Sequence, residues 1–315
     1  MSELLLGLDG GGSKTLALLA DATGRVIGRG IAGASNYQNI GETAAWAALD
    51  TAIAAAFADA GLEQSTVDAV GLGLAGVDRP EDRALFEDWA AGRFGGAPVV
   101  IANDAELVLA AGTPDGWGVA LISGTGSIVF GRSPNGEMAR AGGWGHIMSD
   151  EGSGYAIGVE ALRAVMAAFD GRGPITSLTG AVLAHWSLKS PPDLVGRVYR
   201  ESDGTADIAT LAALVDAAAG DGDVVALHIL RAAGRELAIT VEAVVRRLAL
   251  PMPAPCALAG GAIVNGRQVR AAFLAALEMF GLRLDPITPV TEPAQGAVRL
   301  AANLLATGPL HAGAA

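Results

Sequence analysis

At 315 residues, 51% of them hydrophobic and 17% charged, the chain has the apolar material for two domains with buried cores, which excludes an intrinsically disordered protein. Its net charge of −12, with no run of Lys or Arg, excludes nucleic acid and an anionic membrane surface as partners. The one cysteine, Cys256, excludes a disulfide-stapled scaffold and fits a reducing compartment.

Residues 4–9 read as a short apolar strand ending in a glycine turn, 15–21 as a second strand and 26–30 as a third, together a β-meander. An Ala-rich helix over 43–60 closes at Gly61, followed by a strand at 67–75, a helix at 81–94, a strand at 99–102 and a helix from Asp104 to Gly112. A similar pass begins at Gly118: strand 119–123, the turn Gly124-Thr125-Gly126, strand 127–132 and a turn at Pro134-Asn135-Gly136-Glu137. Helices fill most of 154–248, a strand at 256–259 runs into Gly260-Gly261, and 295–306 closes as a helix. Abundant Ala and Gly beside 5% aromatics imply helices packed closely on sheets.

The repeated strand, glycine turn and strand suggest a duplicated α/β unit with a nucleotide cleft between the halves, chance recurrence being the alternative. No low-complexity linker is present, so the boundary falls at Thr113-Pro114-Asp115-Gly116, giving domains of 1–115 and 116–291 with a helix over 292–310 packing back on the first. No basic segment followed by an apolar stretch opens the sequence. The most apolar runs, 119–129 and 241–250, are broken by Gly or Arg short of a bilayer span, so a cytoplasmic protein is expected.

Five places carry candidate chemistry. In Asp9-Gly10-Gly11-Gly12-Ser13-Lys14-Thr15 the glycines let backbone N–H groups approach an oligophosphate, with the Ser13 or Thr15 hydroxyl as a further donor. Asp9, ending an apolar strand, suits Mg²⁺ held through water. The turn is neither a Walker loop nor a dinucleotide fingerprint, because strand-type residues follow it; a plain glycine hairpin is its alternative. Ser123-Gly124-Thr125-Gly126-Ser127 offers hydroxyls and glycines in a similar arrangement, and the pair suggests a grip on a phosphate chain.

Asn103-Asp104 places an acid where an apolar strand runs into a helix, positioned to take a proton from a hydroxyl that attacks a γ-phosphate. A helix N-cap is the competing role. In Gly142-Gly143-Trp144-Gly145-His146 through Ser149-Asp150-Glu151-Gly152-Ser153, Asp150 and Glu151 can accept from sugar hydroxyls while Trp144 gives an apolar face; turn or capping roles compete, more so for Glu151. The histidines His146, His185, His228 and His311 are scattered, so no structural zinc is expected. Gly260-Gly261, after a strand, would let an adenine ring lie flat against backbone, or is an ordinary junction.

Taken in order, these features resemble the sugar kinase/heat-shock ATPase/actin superfamily over nearly the whole chain. More narrowly, the sequence is similar to the N-acetylglucosamine kinase branch of the benzoyl-CoA reductase activator-type ATPases, through Asn36, Asn103-Asp104, Ser123 to Ser127 and the block from Gly142 to Ser153. The resemblance implies a two-lobed actin/hexokinase-like (ribonuclease H-like, duplicated) α/β fold, ATP with Mg²⁺, an amino-sugar substrate and a homodimer. Asp104 would be the base that activates the sugar 6-hydroxyl. Asn36, Gly126, Ser127, Gly145 and Asp150 would bind the sugar. Gly11, Gly12, Ser13, Lys14, Gly124 and Thr125 would hold phosphates, Gly260 and Gly261 the adenosine, and Asp9 the metal. Ser13 stands where Thr is frequent in the family, which keeps the hydroxyl. Glycine amides, a helix N-terminus and Mg²⁺ act locally, so an acidic protein can still hold an anionic nucleotide.

Two rival readings stand beside it, an activator ATPase and a non-catalytic regulator on the same fold. An activator that bridges two subunits with an iron–sulfur cluster needs two thiolates from each, and Cys256 is alone. A sugar-sensing regulator would carry a DNA-binding helix pair with a basic surface, and would not need Asp104 as a base. Within the kinases, N-acetylglucosamine is favoured, with glucosamine close behind and N-acetylmuramic acid as the third choice, since the three differ only at the second and third ring carbons.

Overall fold

The computed structural model describes residues 3–77, 79–200 and 204–307; His311 and residues 308–310 of the expected closing helix lie outside them. In chain order the elements begin β1 (Leu4–Gly10), β2 (Thr15–Asp21), β3 (Val26–Ala32), α1 (Tyr37–Ile40), α2 (Glu42–Asp59), β4 (Ala69–Leu74), α3 (Pro80–Phe94), β5 (Val99–Ala102) and α4 (Asp104–Gly112). They continue β6 (Gly118–Ser123), β7 (Ser127–Arg132), β8 (Met138–Gly142), α5 (Gly154–Phe169), α6 (Leu178–His185), α7 (Asp193–Arg200), α8 (Thr205–Ala209), α9 (Leu211–Gly220) and α10 (Val224–Arg247). The last are β9 (Ala254–Ala259), α11 (Gly261–Asn265), α12 (Arg267–Met279), β10 (Leu284–Pro289) and α13 (Ala294–Thr307).

The chain forms two compact units, one of the residues up to Gly116 together with those from Glu292 onward, the other of Trp117–Thr291. The first contains a five-stranded sheet in the order β3-β2-β1-β4-β5; β1 runs antiparallel to β2 and parallel to β4. In the second, the order β8-β7-β6-β9-β10 is the same order with the corresponding strands, so the duplication expected from the two glycine hairpins is present as repeated topology. The class is α/β with two mixed sheets.

Central strands read as unbroken apolar runs because both of their faces are covered. On β1, Leu6 and Leu8 pack with Leu49, Ile53 and Phe57 of α2 and with Phe86 of α3. Leu5 points the other way, to Ala294, Val298 and Ala301 of α13. Helices approach these sheets closely where glycines remove the Cβ. A methyl group at Gly28 or Gly30 of β3 would overlap backbone of α2, and one at Gly71 of β4 would overlap the Ala297 carbonyl of α13. In the second unit, one core joins Val119, Leu121 and Val129 of the sheet to Val241 and Val244 of α10 and to Phe273 of α12.

Elements α1, β8, α11, α12 and β10 lie where the sequence reading assigns none. Strand β8 (Met-Ala-Arg-Ala-Gly) and strand β10 (with Pro286 and Pro289) both lie at sheet edges, where weak strand formers and prolines are tolerated. The short helix α1 follows an Asn36 cap that the sequence reading treated only as a sugar ligand.

Candidate active site

In the first unit the parallel register aligns Asp9 of β1 with Gly73 of β4, and Gly73 with Ala102 of β5. Asp9 and the Asn103-Asp104 step therefore emerge at the same carboxyl end of the sheet, the end where ligands meet open α/β sheets. Burial, followed by the nearby Asp104 charge, pushes the Asp9 carboxyl up to about 6, with Lys14 opposing the shift. The Asp9 and Asp104 carboxylates thus share one region, with Lys14 favouring the charged form of Asp9.

The glycine turn is tied down on one side. The Gly11 amide donates to the Lys14 carbonyl at 3.0 Å, and the Gly11 carbonyl accepts from the amides of Ser35 at 3.0 Å and Asn36 at 3.2 Å. Gly10 must be glycine because a Cβ there would strike Ser35 Oγ, whereas a Cβ at Gly11 or Gly12 would make only ordinary contacts, 3.7 Å from the Lys14 carbonyl and 3.8 Å from the Asn39 side chain. Ser13 and Lys14 are exposed. Thr15 is not available as a phosphate donor: it is buried, and its hydroxyl donates to the Gly33 carbonyl at 2.8 Å. Asn36 lies beside the turn and caps α1 by accepting from the Gln38 amide at 3.1 Å.

The competing role for Asp104 is filled by its neighbour. Asn103 is the N-cap of α4, accepting from the Glu106 amide at 2.9 Å while Glu106 Oε1 accepts from the Asn103 amide at 3.3 Å, a full capping box. Asp104 sits one position inside the helix with its carboxylate exposed, accepting from the Ala105 amide at 2.9 Å. Arg83 braces the preceding strand through the Ile101 carbonyl.

In the second unit the turn Gly124-Thr125-Gly126 joins β6 to β7, and the loop carrying Asp150 lies against it. The Ser127 amide donates to Asp150 Oδ1 at 3.3 Å, and a Cβ at Gly126 would stand 2.9 Å from Asp150 Oδ2. Asp150 is buried and holds a left-handed backbone, φ 68°, which is uncommon for a residue with a side chain. Glu151 is exposed and accepts from the Ser149 hydroxyl. Ser153, not Asp150 or Glu151, caps the following helix. Gly145 stands apart in open space with φ 87°, and beside it Trp144 is 57% exposed with the Arg140 guanidinium 4.1 Å from its ring.

Gly124 also touches the Gly260-Gly261 junction: a Cβ on Gly124 would lie 3.7 Å from Gly260 Cα, and Gly260, φ 90°, has no room for one against Ser123. These residues open onto a cavity of about 470 Å³ lined by Gly124, Thr125, Gly261, Asn265 and the alanines of α8 and α9. The size suits a nucleoside, and the Ala and Gly walls make a flat slot. Sequence reasoning missed this wall, because Ala206, Ala209, Ala212 and Ala213 read as ordinary helix core. Asp216 also lines it but is occupied structurally, accepting from the amides of Arg267, Gln268 and Val269 at the start of α12.

The donor sets can be tested against the groups they would hold. Asp9 with Asp104 nearby is an all-oxygen arrangement in which burial first and the Asp104 charge second raise the Asp9 pKa, and it fits a hard divalent cation bound mainly through water. Among the described residues no cluster of three or more His, Cys, Asp or Glu forms a direct metal cage. Cys256 is buried in β9 with its thiol pushed up to about 12 by burial, so it does not fit an iron–sulfur site.

Similar proteins are known. The N-acetylmuramic acid/N-acetylglucosamine kinase of Clostridium acetobutylicum is 37% identical over 263 residues, 84% of this chain and 86% of its own. The N-acetyl-D-glucosamine kinase of Dictyostelium discoideum is 35% identical over 258 residues, 79% of this chain and 81% of that one. Among solved structures, a candidate N-acetylglucosamine kinase from Chromobacterium violaceum matches with a TM-score of 0.74 and 30% identity, covering 95% of this chain and 99% of the other. The sequence model of one family spans residues 6–301, which include both glycine turns, Asp104 and Asp150: the chain belongs to the BadF/BadG/BcrA/BcrD ATPase family.

Proposed function

We propose that this protein is an ATP-dependent amino-sugar kinase that transfers the γ-phosphoryl group of ATP to the 6-hydroxyl of N-acetylglucosamine. The observation that carries the reading is its likeness, along about four-fifths of the chain, to two kinases named for that sugar. In the reaction the sugar O6 attacks the γ-phosphorus, its proton passes to the Asp104 carboxylate, and the bond to the bridging oxygen of ADP breaks. Assignment of Asp104 as base is supported by the capping box, which gives the structural task at that helix end to Asn103 and Glu106. Asn36, Gly126, Ser127, Gly145 and Asp150 are proposed to bind the sugar. Gly11, Gly12, Ser13, Lys14, Gly124 and Thr125 are proposed to hold phosphates, and Gly260-Gly261 with the alanine slot the adenosine. Asp9 would hold Mg²⁺, which when bound neutralises phosphate charge.

N-acetylmuramic acid is a second acceptor to consider, because the Clostridium relative is named for both sugars. A homodimer and a cytoplasmic location complete the reading. The homodimer follows from the family resemblance, and the location from the single cysteine, which fits a reducing compartment. The test is ADP release across N-acetylglucosamine, glucosamine and N-acetylmuramic acid, with Asp104→Asn alongside. N-acetylglucosamine is expected to give the highest kcat/KM, and Asp104→Asn to lower turnover by about 10²–10⁴-fold with an unchanged melting temperature. No stimulation by any of these sugars would overturn the kinase reading; near-normal turnover in the variant would overturn the base.

A further inference from the structure

We infer that Ser123 is a positioning residue that couples nucleotide binding to sugar binding in the second unit, acting through the backbone of the Asp150 loop. The inference rests on the kinase reading and adds to it a residue that touches neither substrate.

Ser123 and Ser127 face each other across the β6–β7 ladder and so flank the turn Gly124-Thr125-Gly126 on both sides. Both hydroxyls are directed at consecutive carbonyls of the sugar loop. Ser123 Oγ donates to the Gly152 carbonyl at 2.9 Å and Ser127 Oγ to the Glu151 carbonyl at 2.8 Å. Just beyond, the Gly154 amide donates to the Gly124 carbonyl at 2.7 Å and the Tyr155 amide to the Thr125 carbonyl at 3.2 Å. With the Ser127 amide on Asp150, five hydrogen bonds join the turn to the segment from Asp150 to Tyr155.

The loop cannot slacken on its other side. Gly152, φ 73°, is packed so tightly on α10 that a Cβ would meet the Ala233 carbonyl at 2.7 Å. Asp150 keeps its left-handed backbone only while its neighbours hold it, and that conformation aims its carboxylate at Gly126. The Gly124 amide closes the turn on the Gly126 carbonyl at 2.9 Å, so a phosphate held at Thr125 fixes the turn, and the turn fixes Asp150 through these bonds. Ser123 is the fully buried member of the set, with no exposed surface to offer a ligand, so its hydroxyl serves the linkage alone.

Calorimetric titration of the full chain with N-acetylglucosamine, with and without saturating ADP, measures the coupling. In the wild type, ADP is expected to tighten sugar binding about fivefold or more. Ser123→Ala should leave each ligand's separate Kd within about threefold of wild type while the coupling factor falls below about twofold; Ser123→Cys, which keeps the volume with a weaker donor, should fall between. If Ser123→Ala does not fold, Ser123→Cys decides alone. Full coupling in whichever variant folds, or no coupling in the wild type, overturns this inference and leaves the kinase reading intact. A wild-type chain that binds neither ligand overturns both.

Discussion

Asp9 carries a carboxylate whose ionised form the fold resists. Its folded value of about 6 lies above the ordinary 3.8, so its contribution favours folding below pH 4 and is lost as pH rises through 6. Two pH units correspond to about 2.7 kcal/mol, which partial exposure reduces to about 1–2 kcal/mol. Asp9→Asn should therefore be more stable than wild type by about that amount at pH 8 in EDTA, with the difference vanishing near pH 4, as read by urea unfolding at both pH values. An equal gap at both would mean that the charge is not the cause. At this scale the sequence left real ambiguities that only geometry resolved. Asn103 and Asp104 are adjacent and both are good caps, and which one caps depends on which adopts the extended backbone; here it is Asn103, at φ −82° and ψ 171°. Thr15 looked as suitable as Ser13 for a phosphate until its hydroxyl was seen bonded to Gly33.

Helix α13 shows how much of an element's placement depends on absent side chains. It seats on the sheet at Gly7 of β1 and Gly71 of β4, and its own Gly296 lies on the Leu107 carbonyl of α4. Arg299 ties it further to the Ala110, Ala111 and Thr113 carbonyls. Gly71→Ala forces a methyl group into the Ala297 backbone and should cost about 2–3 kcal/mol, whereas Gly33→Ala, with nothing within 4 Å, should stay within about 0.5 kcal/mol. Denaturant midpoints of the two variants check the contrast. The central strands and long helices were legible because burial on both faces leaves a continuous apolar run. Edge strands β8 and β10 were not, since pairing on one side only demands little of their composition. The nucleoside slot was hidden for a related reason: alanines that line a cavity and alanines that fill a core have the same periodicity.

At the scale of the molecule, one topology is used twice, and the glycine turns that advertised the repeat sit at the same step of each copy, between the first and second strands. The copies differ in how they are made up. The second unit is continuous from Trp117 to Thr291, while the first gathers residues from both sides of it. A chain stopped after Thr291 would leave Leu5, Leu18, Ala20 and Ala69 without Ala294, Val298 and Ala301. In such a chain, hydrogen exchange followed by mass spectrometry should show β1 and β4 losing protection while β6 and β9 keep theirs. Equal loss in both sheets would mean that the units do not fold independently. The same arrangement sets a schedule during translation. The strands made first are the last to be covered, because α13 is synthesised only after the whole second unit. At ~5–20 residues per second, that face of the nascent sheet stays bare for on the order of ten to thirty seconds, long enough to make it a client for chaperones that bind apolar segments.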